Sequence, residues 1–427
     1  MMTVLSRFGI FSNKYRVLLK KYHELSQELG FSATLPITAV ILKRHVRLIK
    51  EFQRQGIEFD VHGYIHADYA LLPLDYQIKH YKKAIRTFEK HGIHPLGFRA
   101  PYLRANVDTL KAVRQVGFQY DSSFPVHWDL IKDDQYSHRC WDEYMNVINY
   151  YESEPADKVL VLPRFIHDTL KIPVSLPDDE IIVERLEISN SEEKCKIWED
   201  IVRKSYASGE LFTIQLHPER IETCKDALTR AISLARKQDP PIWLASLREI
   251  NRWWRERSKF TLSITQENEG KYKISAKCSP RGTVVVKNGK VNVPTEEWYE
   301  KYRVVSSSEF TIESPKRPAI GVSNTSSTKA ILFLQNEGYI VEKSEQPSDY
   351  ALYLDDLNKF GHEDEKNLVL RIDSSDATLV RCWRWPEKAR SAISVTGDID
   401  SITLADFVLR ILENSLASRH NKKPKQR

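Results

Sequence analysis

Residues 57–66 read IEFDVHGYIH. The first five residues have the make-up of a short buried strand, and the strand runs straight into His62. Sites of α/β folds collect where a strand ends. His62 and His66 stand four apart, and on a helical turn both would face one metal ion. An ordinary surface or core pair has the same spacing, so the flanking elements decide the reading.

Upstream, residues 15–30 have helical periodicity closed by Gly30, 33–40 (ATLPITAV) read as a buried strand, and 44–55 as a helix closed by Gly56. Downstream, 74–91 is a long helix, 96–98 a brief strand before Arg99, and 108–116 a helix ended by Gly117, with 118–121 extended. Residues 130–180 carry several prolines and read as long irregular loops over the mouth of the fold. A mostly helical stretch, 181–207, leads to the strand 211–216 (LFTIQL), which ends at His217. A helix at 225–238, a strand at 242–245 and an amphipathic helix at Leu247–Arg257 follow. This alternation predicts a parallel α/β architecture.

The pattern changes near Lys259. Residues 260–313 alternate apolar and polar, with turn signals at 268–270, 280–282 and 288–289, as in a small antiparallel β-domain. Residues 318–375 return to β-α-β: PAIGVS, a helix at 328–337, YIVEKS, and a third strand at 351–354. The hydroxyls of GVSNTSSTK precede that helix without the GxxxxGK[ST] pattern of a phosphate loop, so they read as an N-terminal cap. A strand at 392–396 and a helix at 404–416 come last. The predicted division is 1–258, 259–315, 316–385, 386–417 and a basic disordered tail at 418–427.

The chain has 427 residues, 41% hydrophobic and 29% charged, enough to bury a full core. A net charge of +6 over this length does not call for nucleic acid, and no nucleic-acid-binding motif is present. Five cysteines without a CxxC pair argue against a disulfide framework or a cysteine zinc site, and fit reduced thiols. No signal peptide and no membrane-spanning run are read, which makes the cytoplasm the expected location.

Three further strand ends carry candidate chemistry. Arg99-Ala100-Pro101-Tyr102 pairs a carboxylate-binding guanidinium with a proline-stiffened loop that can aim a backbone N–H. Gln215-Leu216-His217-Pro218-Glu219 ends an apolar strand on an acid/base candidate. Thr396-Gly397-Asp398-Ile399-Asp400 sets two carboxylates on one side of an extended chain, one able to bind a metal and the other to act as base. A strand-end turn with a surface arginine, a satisfied histidine and a helix-capping aspartate are the plain alternatives.

Together, HGYIH, RAPY, LQLHP and GDID resemble the motifs of the polysaccharide deacetylases, the NodB-homology group of carbohydrate esterases. The resemblance covers roughly residues 15–257 plus 392–410. It implies a distorted TIM-like (β/α) barrel, here circularly permuted, because the Asp motif expected before the first helix stands near residue 400. Residues 259–385 are then an insertion. The family pattern further implies one divalent metal ion, zinc first, held by Asp400, His62 and His66. Asp398 is the expected base and Arg99 fixes it. The backbone N–H of Tyr102 meets the oxyanion and His217 is the acid. Asp121, in YDSSFPVHW, is the candidate for the blurred fourth motif, with no role assigned. The implied reaction is deacetylation of an N-acetylated sugar or polysaccharide. Another small amide substrate, or a degenerate carbohydrate-binding protein without catalysis, stays open. So does a homo-oligomer, including a swapped dimer in which Asp398 and Asp400 complete a neighbour's barrel. Tyr64, Tyr69, Tyr102 and Trp128 are expected at the mouth, stacking on sugar rings.

Overall fold

The computed structural model describes residues 7–418, so the basic run at 419–427 lies outside the described residues. Seven parallel strands build the main sheet. They are β1 (Ala33–Ile37), β2 (Glu58–Val61), β3 (Gly97–Phe98), β4 (Tyr120–His127), β5 (Thr169–Leu176), β6 (Leu211–Gln215) and, from the far end of the sequence, β8 (Ser391–Thr396). The order is β5-β4-β3-β2-β1-β8-β6, with β7 (Ile242–Leu244) also on β8 and Arg164–Ile166 antiparallel on β5. On one side of β8 lies β6. On the other, β1 pairs with Val395 and Thr396, while β7 pairs with Ser391 to Ile393. The strand that carries the GDID segment is therefore central, although it comes last in the chain.

Every residue of β1 and β8 is buried, as expected of parallel strands covered on both faces. Helices Asn13–Leu29, Leu74–Lys90, Ser191–Ser208 and Ile221–Arg236 supply apolar faces such as Tyr15, Leu19 and Tyr22, or Ala227, Leu228 and Ile232. Gly30 closes the first of these at φ 62°, a left-handed turn that suits glycine. The fold is a mixed α/β arrangement, and hydrogen bonding does not close the sheet. No hydrogen-bonded ladder joins β5 to β6 among the described residues.

Residues 130–180 depart from the irregular loops expected. They hold helix His138–Tyr150, with Cys140, Tyr144 and Ile148 buried at i, i+4 and i+8, and the long strand β5. Pro173 stands inside β5 and Pro125 inside β4. Proline removes a ladder donor and argues against a central strand, which hid β5 and the second half of β4. The strand expected at 33–40 also stops early, at Ile37, and helix Ala39–Arg44 begins within it.

Between β7 and β8 lie a four-stranded antiparallel sheet, which begins with Thr261–Asn268 and Lys271–Lys277, a second four-stranded sheet, and a three-stranded parallel sheet centred on Arg317–Val322. Ser327 caps helix Thr328–Asn336 by accepting from the Ala330 N–H at 3.2 Å, as read from the sequence. Strand Leu379–Cys382 returns to pair with Val284–Lys287, so a ladder ties the two inserted segments together. Trp253, Trp383 and Trp385 are buried where this region meets the main sheet.

Candidate metal centre

The carboxyl ends of the parallel strands converge. His62 follows β2, Arg99 follows β3, His217 lies two residues beyond β6, and Asp398 two beyond β8. A cavity of about 420 Å³ is lined by His62, His66, Tyr102, His217, Asp398 and Asp400, among others. The structure thus gathers all the expected site residues except Arg99, which lies just beneath as a fully buried support.

Residues 62–66 do not form the helical turn expected. They make a bend in which Gly63 takes φ +79°. A Cβ there would meet the Tyr69 ring at 2.6 Å and the Ile65 carbonyl at 2.8 Å, so the bend needs glycine. It still brings the two imidazoles together, with ring centroids 5.2 Å apart.

His62 Nδ1 lies 2.9 Å from the Arg99 carbonyl, which can only accept, so this nitrogen carries the proton. In the neutral ring Nε2 is then a bare lone pair. Nε2 lies 3.4 Å from Asp400 Oδ1 and 3.7 Å from Asp398 Oδ2. In that form acceptor faces acceptor. Asp400 Oδ1 is buried without a hydrogen-bond partner. His66 Nε2 lies 3.1 Å from Asp400 Oδ2, which also accepts from Arg410 Nη1 at 3.1 Å. The potential ligand atoms of His62, His66 and Asp400 all fall within 4.8 Å of one another. Two imidazoles and a carboxylate suit a divalent ion, and a cation resolves the facing lone pairs, so the residues fit the expected metal. Burial lowers the His66 pKa and outweighs the pull of Asp400, which favours the neutral ring that a ligand needs. Burial would raise the Asp400 pKa, but the two imidazoles and the Arg410 guanidinium beside it hold it well below the usual carboxylate range.

Asp398 is held differently. Arg99 Nη1 donates to its Oδ1 at 3.0 Å, and Gln215 Nε2 donates to Oδ2 at 3.2 Å. Arg99 is itself fixed by the Ser122 carbonyl at 2.9 Å, the Ser122 hydroxyl at 3.0 Å and the Thr396 hydroxyl at 3.0 Å. This is a rigid fork aimed at one oxygen.

The sequence reading missed the partner of His217. Asp179 Oδ1 lies 2.7 Å from His217 Nδ1, and Asp179 Oδ2 accepts the His217 backbone N–H at 2.8 Å. Burial alone would lower the histidine pKa, but the charge and hydrogen bond of Asp179 outweigh it and push the value up to about 10. Asp179 moves the other way: burial is overcome by His217 and Arg220, and its pKa falls. The signal was SLPDDE at 175–180, two acids at the end of β5, concealed because β5 was not read as a strand.

Asp121 can now be placed, and the expected aromatic mouth needs correction. Asp121 does not line the cavity. Ser123 donates to its carboxylate, and the Ser123 hydroxyl accepts from the Ala100 N–H at 2.8 Å, so Asp121 braces the RAPY loop from below. Of the four aromatics expected at the mouth, only Tyr102 lines the cavity, with its ring edge-on to His66 at 4.5 Å. Tyr69 is buried, its hydroxyl accepting the Tyr64 N–H at 2.9 Å; Trp128 is buried as well, and Tyr64 lies outside the cavity. Tyr150, Tyr151, Phe8 and Phe407 take those places.

A family model described as polysaccharide deacetylase matches residues 11–120, the stretch that holds HGYIH and RAPY. A peptidoglycan deacetylase-like protein of Gibberella zeae is 38% identical over 73 residues, which is 17% of this chain and 22% of that protein. The match therefore spans about a fifth of the curated relative. Among solved structures, one described as a polysaccharide deacetylase from Mycobacterium smegmatis aligns at 20% identity and a TM-score of 0.45, covering 60% of this chain and 84% of that one. Another so described, from Pseudomonas aeruginosa PAO1, aligns at 23% identity and a TM-score of 0.43, covering 57% and 73%. No helix among the described residues is long and apolar enough to cross a membrane.

Proposed function

We propose that the chain is a metal-dependent deacetylase that hydrolyses the acetamide of an N-acetylated sugar or polysaccharide. The observation that carries this reading is the convergence of the potential ligand atoms of His62, His66 and Asp400, with Asp398 and His217 lining the same cavity. A divalent ion on those three residues, zinc first, would supply Lewis acidity and acidify a water. Asp398, oriented by Arg99 and Gln215, takes the proton of the attacking water. The Tyr102 N–H, on the proline-stiffened loop, donates to the oxyanion. His217, kept protonated by Asp179, gives its proton to the departing amine nitrogen. The products are acetate and a free amine.

The same reading includes a circularly permuted barrel. Strand β8 lies between β1 and β6, where a first strand bearing the Asp motif would sit, and residues 259–385 bridge the gap in the chain. A chromogenic N-acetyl sugar provides the test. Turnover that a chelator abolishes and added zinc restores is the expected result. Metal bound at His62 and His66 with no turnover of any acetylated sugar would overturn it in favour of a binding role.

A further inference from the structure

Helix Leu404–Ser418 has two unlike faces. Its inward side carries its charged residues: Asp406 receives His45 at 2.7 Å, Arg410 reaches Asp400, and Glu413 takes Arg44. Phe407 and Arg410 from this side also line the cavity. The outward side is apolar. Val408 is 51% exposed, Ile411 56% and Leu412 55%, on a face that includes no charged side chain. At the start of the helix, Gly9 bridges Thr403 and its carbonyl accepts the Leu404 N–H at 3.0 Å, and the two residues that follow it, Ile10 and Phe11, are each 75% exposed. Contiguous apolar surface of this kind marks an interaction site, whereas scattered exposed residues do not.

The charge of the chain indicates what covers it. Residues 419–427 hold five basic side chains (Arg419, Lys422, Lys423, Lys425 and Arg427) and no acidic ones, against a net +6 for the whole sequence; subtracting five leaves the remainder at +1. The positive charge is thus concentrated directly after the apolar helix. An apolar helix face joined to a cluster of four to eight basic residues is the chemistry that binds acidic lipid. Self-association would bury the apolar face but leave the basic run without a counter-charge; an acidic bilayer meets both.

We propose that the outward face of helix Leu404–Ser418, together with the basic run that follows it, docks on an acidic lipid bilayer. The docking does not depend on catalysis in the cavity. The test is flotation of the full metal-loaded chain with phosphatidylcholine vesicles, with and without about 30 mol% phosphatidylserine. Binding to the acidic vesicles should exceed binding to the neutral ones by about tenfold or more and weaken at 0.5 M salt. Ile411→Glu with Leu412→Glu should abolish it, as should replacing the five basic residues with Gln, while metal content stays at the wild-type level and reports an intact fold. No flotation with either vesicle overturns the proposal, and so does flotation unchanged in the Ile411→Glu, Leu412→Glu variant. A wild type that is dimeric by light scattering and becomes monomeric in that variant would assign the face to a second copy instead.

Discussion

Two regions of this molecule bury charge, and they match it to different degrees. In the inserted region, the Glu337 carboxylate lies between Arg381, at 3.1 Å, and Arg384, at 2.6 Å. Lys287 there donates to the carbonyls of Ile372 and Asp373 at 2.6 and 2.7 Å. Each negative group has a cation against it and each cation an acceptor. At the carboxyl ends of the main sheet, Arg99 and Arg410 meet Asp398 and Asp400, but the match is incomplete: Asp400 Oδ1 has no hydrogen-bond partner and lies 3.4 Å from His62 Nε2. A buried charge that is matched holds an architecture in place. One left partly unmatched costs stability unless a ligand completes it, so the unpartnered oxygen between two imidazoles is what marks the site.

Substitutions can break this contrast. The largest expected effect on turnover is that of Asp398→Asn, which keeps the hydrogen bond to Arg99 but cannot take a proton. Activity should fall about 10²–10⁴-fold with metal content unchanged. Loss of metal together with activity would make Asp398 a ligand. His217→Ala should cost a similar or smaller factor, again with metal retained. Asp179→Asn should act more mildly, through pH. With Asp179 present the His217 pKa is raised, so the acid form persists below about 10 and is lost as pH rises through that value. Without Asp179, burial and the Arg220 charge, opposed only by Glu219, should move the alkaline limb of the rate profile down toward or below the ordinary histidine value, roughly 6.5. An unmoved limb would detach His217 from the acid role. The smallest effect on turnover is expected in the inserted region. Glu337→Gln should leave the rate per folded molecule unchanged while costing about 3–5 kcal/mol in denaturant unfolding, because Arg381 and Arg384 lose their buried partner.

Much of this was legible before any coordinates, for physical reasons. Strands β1, β2, β6 and β8 are buried on both faces, and such strands show as short apolar runs ending at His62, His217 and the GDID segment. Helix Leu247–Arg257 agrees at both ends with its amphipathic pattern, and Ser246 and Glu249 form a capping box at its start. What was not legible depended on tertiary context. Pro173 hid β5, and with it Asp179. The aromatics at the mouth come from helix His138–Tyr150, Phe8 and Phe407, which only folding brings beside His66. The bend at Gly63 replaced a helical turn because its geometry depends on packing against Tyr69, which i, i+4 spacing does not encode.

The central claim is that the two ends of the sequence share one metal centre. It is tested most directly by the metal bound per chain in the wild type, in Asp400→Ala and in His62→Ala, each checked for folding by circular dichroism. The account predicts about one ion in the wild type and near none in either variant. Metal lost from His62→Ala but fully retained in Asp400→Ala would contradict it, and would remove the GDID segment from the site.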